Sequence, residues 1–252
     1  MTTDLLSCSL NYRHSPPHSQ LRKEKDLNSK ADLVLLGVRH GATDYTDTGL
    51  DLTELGRAQV KELAQKQVLK WMARHGVTDD TLMLVSSHAP RARGTTALIK
   101  LHADLPTSVV VDPLLGPMQW RDPKRCAVAL KGLKGRGYID YETEPVFADP
   151  TMFETPVEMH KRWYAYLTKL IVEAREGNVL PHRILVSHYE VLCHITRDLF
   201  SVIATESAAL KNAEHIELSI SVGAGDLAYV RGVFRDIYVE RTFNLVSQRF
   251  KK

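Results

Sequence analysis

Residues 31–43 read ADLVLLGVRHGAT, an apolar stretch that passes abruptly into arginine, histidine and glycine. Ala31–Val38 is an apolar run interrupted only by Asp32 near its start. A run without polar alternation suits a strand covered on both faces, as in parallel sheets flanked by helices. Arg39, His40, Gly41 and Thr43 follow directly. The carboxyl ends of strands are where open α/β sheets bind ligands. A guanidinium there offers a planar fork of donors matched to phosphate oxygens. An imidazole offers a nitrogen that can carry a phosphoryl group, and glycine allows a tight turn with close backbone approach.

On the C-terminal side of this stretch, strand and helix patterns alternate. Thr53 to about Arg74 is helical in pattern: Thr53 is a good N-cap, Gly56 sits in the first turn, and Val60, Leu63, Ala64 and Val68 share one face. Thr81–Ser86 reads as a second buried strand, Arg91–His102 as a helix and Ser108–Val111 as a third strand. The alternation implies a three-layer α/β/α sandwich with a mostly parallel central sheet. Residues 119–153 carry scattered prolines and the cations Arg121, Lys124, Arg125, Lys131, Lys134 and Arg136, and are expected to form an irregular basic insert. Thr155-Pro156-Val157-Glu158 is a capping box with proline at the first helical position. Beyond that helix come a strand at Arg183–Val186, helices near Glu190–Phe200 and Thr205–Ala213, and strands at His215–Val222 and Leu227–Arg235. The reading is one domain over 31–252 preceded by a polar, flexible tail over 1–30.

Two further segments place arginine or histidine at predicted strand ends. Ser86-Ser87-His88-Ala89-Pro90-Arg91-Ala92-Arg93-Gly94-Thr95 follows the second strand, so Arg91 would face the same sheet edge as Arg39, with Arg93 on another helix face. Leu185-Val186-Ser187-His188 ends the fourth, and the helix after it presents an N-terminus that favours anions.

Composition bounds the function. The chain has 252 residues, a formal net charge of +3 and 25% charged residues, a balance too mild to argue for nucleic acid. No run approaches the roughly 20 apolar residues of a membrane span. Cys8, Cys126 and Cys193 lack metal-like or disulfide-like spacing, which suits a reducing compartment, so a cytoplasmic location is expected. His182, His188 and His194 straddle a strand-to-helix change and do not compose a metal site; no metal or cofactor is expected.

Taken in order, the RHG motif, the L-T-x-x-G-x-x-Q helix at Leu52–Gln59, the S-S-x-x-x-R-A-x-x-T segment and the late Ser187-His188 pair resemble the histidine phosphatase (phosphoglycerate-mutase-like) superfamily. Glu154-Thr155 with Glu158 and Arg162 looks like that family's G-E-S segment without its glycine. The resemblance runs from about Val34 to Leu199. It implies that His40 becomes phosphohistidine, that Arg39 and Arg91, with Gly41 and Thr43, bind the phosphoryl group, and that His188 is the second histidine, donating as charge develops. The implied partner is a phosphorylated small molecule or a phosphoprotein.

The chain also departs from the pattern. Where the family carries L-x-E-x-x-x-G-x-W, with a glutamic acid that protonates the leaving oxygen, this sequence has Leu114-Leu115-Gly116-Pro117-Met118-Gln119-Trp120. Asp112, just upstream, is the preferred replacement acid, and Glu190, two residues beyond His188, is the alternative. Asp44-Tyr45-Thr46 stands where the family often has asparagine, and the mutases' tryptophan-asparagine pair is missing. Hydrolysis of a phosphomonoester is therefore favoured over mutase chemistry. A phospho-ligand binding protein with little catalysis is the rival reading.

Overall fold

The computed structural model describes residues 31–44, 51–133, 140–202, 205 and 207–251; the polar segment 1–30 lies outside them. The strands are β1 Leu33–Arg39, β2 Leu82–Ser86, β3 Val109–Val111, β4 His182–Ser187, β5 His215–Val222, β6 Leu227–Phe234, β7 Ile237–Asn244 and β8 Arg249–Lys251. They form one sheet in the order β3-β2-β4-β1-β5-β6-β7-β8. The α-helices are α1 Glu54–Leu63, α2 Leu69–His75, α3 Pro90–His102, α4 Pro123–Leu133, α5 Pro156–Arg175 and α6 Tyr189–Asp198. A π-helical turn, Ala64–Val68, joins α1 to α2.

The β1 sequence explains the layering. Successive side chains of a strand point to opposite faces. Leu33 and Leu35 join the core under α5 and α6, while Val34, Leu36 and Val38 join the core under α1, α2 and α3. A strand with both faces dry has no polar position to spare, hence the unbroken apolar run. A smaller apolar cluster of Met118, Cys126, Leu133, Phe147, Phe153 and Met159 sits beneath the segment between β3 and α5.

Three expectations need correction. The sheet is mixed: β1, β2, β3 and β4 pair in parallel, but β1–β5, β5–β6, β6–β7 and β7–β8 are antiparallel. The second half returns through hairpins, and short connections can join only antiparallel neighbours. Within the stretch expected to be irregular, α4 forms, with Cys126 and Leu133 buried on one side. The helix expected over 205–213 is absent among the described residues of that stretch. Its carbonyls serve arginines instead: Arg235 donates to the Ser207 and Ala209 oxygens at 3.1 and 2.9 Å, and Arg39 to the Leu210 oxygen at 2.5 Å. Ala213 closes the segment at φ 55, in the left-handed region that ends helices.

Among the described residues, no helix is long and apolar enough to cross a membrane.

Candidate active site

β1, β2 and β4 are neighbours, so their carboxyl ends bring Arg39, the Ser86–Arg91 segment and His188 to one edge of the sheet. His40 and His188 are 2% and 0% exposed, with ring centroids 5.1 Å apart.

The protonation of His40 follows from its partners. Nδ1 lies 2.7 Å from the Gly41 carbonyl oxygen. A carbonyl only accepts, so Nδ1 carries the proton and Nε2 keeps its lone pair. Arg91, itself buried, donates its Nε–H to that Nε2 at 3.1 Å. Burial is the largest influence on the ring, and with the charges of Arg91 and Arg39 it outweighs the Gly41 hydrogen bond, lowering the pKa to about 3.

His188 has a different set of partners. Its Nε2 shares a hydrogen bond with the Ser87 hydroxyl at 2.7 Å, and that oxygen also accepts the Ala89 N–H at 3.3 Å. The other ring nitrogen, Nδ1, is shut from solvent and has no hydrogen-bond partner among the described residues. Burial, first, and then the charges of Arg91, His40, His88 and Arg162 hold His188 well below its ordinary pKa. A buried polar atom without a partner costs stability, so a native structure that keeps one calls for a reason such as a catalytic role.

Arg39 donates to the Leu210 carbonyl and lies over the Tyr189 ring, 5.2 Å from its centroid. Gly41 and Thr43 shape the loop. A Cβ at Gly41 would lie 2.7 Å from the Gly56 oxygen and 2.9 Å from Val60. The Thr43 hydroxyl donates to the Gly41 carbonyl at 3.3 Å.

The L-T-x-x-G-x-x-Q helix proves to be the cradle of this loop. Thr53 caps α1 and its hydroxyl donates to the Ala42 carbonyl at 3.2 Å. A Cβ at Gly56 would run into that same carbonyl. Gln59 accepts the Ala42 N–H at 3.0 Å. Thr95 Oγ1 accepts the Gly41 N–H at 3.1 Å, and Asn212 Nδ2 donates to the His40 carbonyl at 3.2 Å. Sequence reasoning gave Gln59, Thr95 and Ser87 no task, although all three stood in quoted motifs. Asn212 had no signal at all, since it arrives from a distant turn.

Both proposed acids hold a backbone N–H. Asp112 accepts the Leu114 N–H at 2.9 Å and caps a 3-10 turn, and its charge bears on Tyr166 in α5. Glu190 accepts the Met118 N–H at 3.2 Å. Glu154 accepts from Arg162 at 2.7 and 2.8 Å. That guanidinium also donates to the Leu114, Gly116 and Pro117 carbonyls at 2.6, 3.1 and 3.3 Å, fixing the strip that carries Gly116. Away from the site, Glu142, Cys193 and His194 bring donor atoms within 4.8 Å of one another. There, Arg197 already pairs with the Glu142 carboxylate.

The histidine phosphatase superfamily (branch 1) sequence model matches residues 35–230. Among solved structures, a mycobacterial glucosyl-3-phosphoglycerate phosphatase superposes with a TM-score of 0.51 at 20% identity, covering 84% of this chain and 97% of the other. A second, called mycobacterial hydrolase 2, gives 0.54 at 21%, covering 83% and 88%. The phosphoglycerate mutase of Bacillus anthracis gives 0.56 at 16%, covering 88% and 97%. No curated protein matches the sequence. The fold is thus shared by phosphatases and mutases alike, and the chain belongs to the histidine phosphatase superfamily.

Proposed function

We propose that the protein hydrolyses phosphomonoesters through a phosphohistidine on His40. The observation that carries this reading is the lone pair at His40 Nε2, kept free by the Gly41 carbonyl on Nδ1 and faced by the Arg91 guanidinium. Arg91 then marks where a phosphoryl oxygen belongs. When a phosphate enters, the Arg91 Nε–H passes from the ring nitrogen to an oxygen of the substrate and uncovers the nucleophile. His188, its ring centroid 5.1 Å from that of His40 and its Nδ1 without a partner among the described residues, adds a second imidazole beside the nucleophile. Arg39 adds charge. Preorganised donors of this kind are what phosphoryl transfer chiefly requires. These cationic groups take the part a metal plays elsewhere, so the reaction needs none.

The substrate is a phosphorylated small molecule or a phosphoprotein, and a cytoplasmic location suits either. The test is hydrolysis of para-nitrophenyl phosphate by the wild type and by His40→Ala. Turnover that disappears in the variant is the expected result. Phosphate binding without turnover in the wild type would instead identify a binding protein of this fold.

A further inference from the structure

The end of β2 carries a residue that the reading above leaves idle. His88 is exposed, one position beyond the serine that holds His188. Its imidazole lies across Gly116: a Cβ added there would sit 2.7 Å from His88 Cε1 and 3.2 Å from Nδ1. The strip behind Gly116 is held by Arg162 through three carbonyls and by Ser187, whose hydroxyl donates to the Leu115 oxygen at 2.8 Å. The ring therefore rests on a fixed wall that has room for it because residue 116 lacks a side chain. It is also near enough for its charge to bear on His188.

Of the other titratable groups around the edge, His40 and His188 are buried, and Asp112 and Glu190 each use one carboxylate oxygen to hold a backbone N–H. Arginine cannot give up a proton. A leaving alkoxide needs a proton, and histidine is the side chain that most often supplies one.

We propose that His88 gives a proton to the leaving oxygen and then takes one from the attacking water, a role that rests on His40 being the nucleophile. In the first step the His40 Nε2 lone pair forms the N–P bond as the P–O bond breaks. The electron pair leaves on oxygen, which takes the proton of the His88 imidazolium and departs as an alcohol. In the second step water attacks phosphorus and its proton passes to the neutral His88 ring. The P–N electron pair returns to Nε2 and phosphate is released. The substrates within reach then include alkyl phosphates, whose leaving groups need that proton.

The test compares para-nitrophenyl phosphate, whose leaving group needs no proton, with glycerol 2-phosphate, whose leaving group does. Wild type, His88→Gln, Asp112→Asn and His40→Ala are assayed on both. His88→Gln is expected to lower kcat/KM for the alkyl ester by about 10²-fold or more while changing the aryl ester by less than about threefold. Because His88 is exposed, its melting temperature should be unaltered. Equal losses on both esters, no loss on either, or the selective loss appearing in Asp112→Asn would overturn the proposal. If His40→Ala abolishes turnover while the His88→Gln ratio is unchanged, this inference alone falls. If folded wild type turns over neither ester, the hydrolytic reading falls with it.

Discussion

A histidine can act as a nucleophile only while one ring nitrogen keeps its lone pair, and at position 40 three contacts secure that state. The Gly41 carbonyl accepts the Nδ1 hydrogen bond, burial with two guanidinium charges lowers the ring's pKa to about 3, and the Arg91 Nε–H donates to Nε2. Lysine at position 91 would keep the charge but lose the planar fork. Arg91→Lys is therefore expected to lower kcat by about 10²–10³-fold, the usual cost of one lost transition-state donor. A steady-state assay that finds less than a tenfold change would show that the fork has no special part. At this scale the sequence pointed to Arg39, His40, Arg91 and His188 because charged and nucleophilic residues directly after apolar runs have few structural uses, and the strand order brings their segments to one sheet edge. Asp112 carried a weaker signal, because a carboxylate before proline also caps turns, and here one of its oxygens accepts the Leu114 N–H.

The elements show how much of a site is scaffolding. The loop after β1 is fixed from α1, since Gln59 and Thr53 bind Ala42 and Gly56 packs where no Cβ fits. Gln59→Leu would leave the Ala42 N–H without its partner, a loss of about 1–3 kcal/mol of stability. Urea unfolding should register it, together with a fall in kcat as the loop loosens. Unchanged activity at reduced stability would show that the loop is held from elsewhere. The capping box at Thr155 and the strands β1, β2 and β4 were readable from local pattern. The short helix α4 was not, because its buried residues are few among cations and prolines. The expected helix over 205–213 failed because two distant arginines claim its carbonyls, which no local window can reveal.

Across the whole molecule, burial of neutral histidines ties stability to pH. His40 titrates near 3 and His194 near 4 in the folded chain against an ordinary 6.5, burial being the first cause in each; His188, His182 and His215 are lowered too. Between the folded and ordinary values the unfolded chain binds more protons, so stability rises with pH there and falls as acid is added. Glu217 is depressed despite burial, its main support being the His75 hydrogen bond and the Arg74 charge, so it acts in the same direction at lower pH. Thermal melting should therefore fall steadily from pH 7 toward 4, and a flat profile would contradict this. At this scale, the mixed character of the sheet was hidden in the sequence. The patterns at 215–222 and 227–235 reveal strands but not their direction, which the hairpin chain of β5 to β8 sets. A phosphohistidine on His40 can be trapped by mixing the protein with para-nitrophenyl phosphate, quenching within milliseconds in alkali and mapping phosphorylation by mass spectrometry. An alkali-stable, acid-labile phosphate on His40, absent from His40→Ala, is the predicted result. Turnover with no phosphoenzyme, or with the phosphate on another residue, would contradict it.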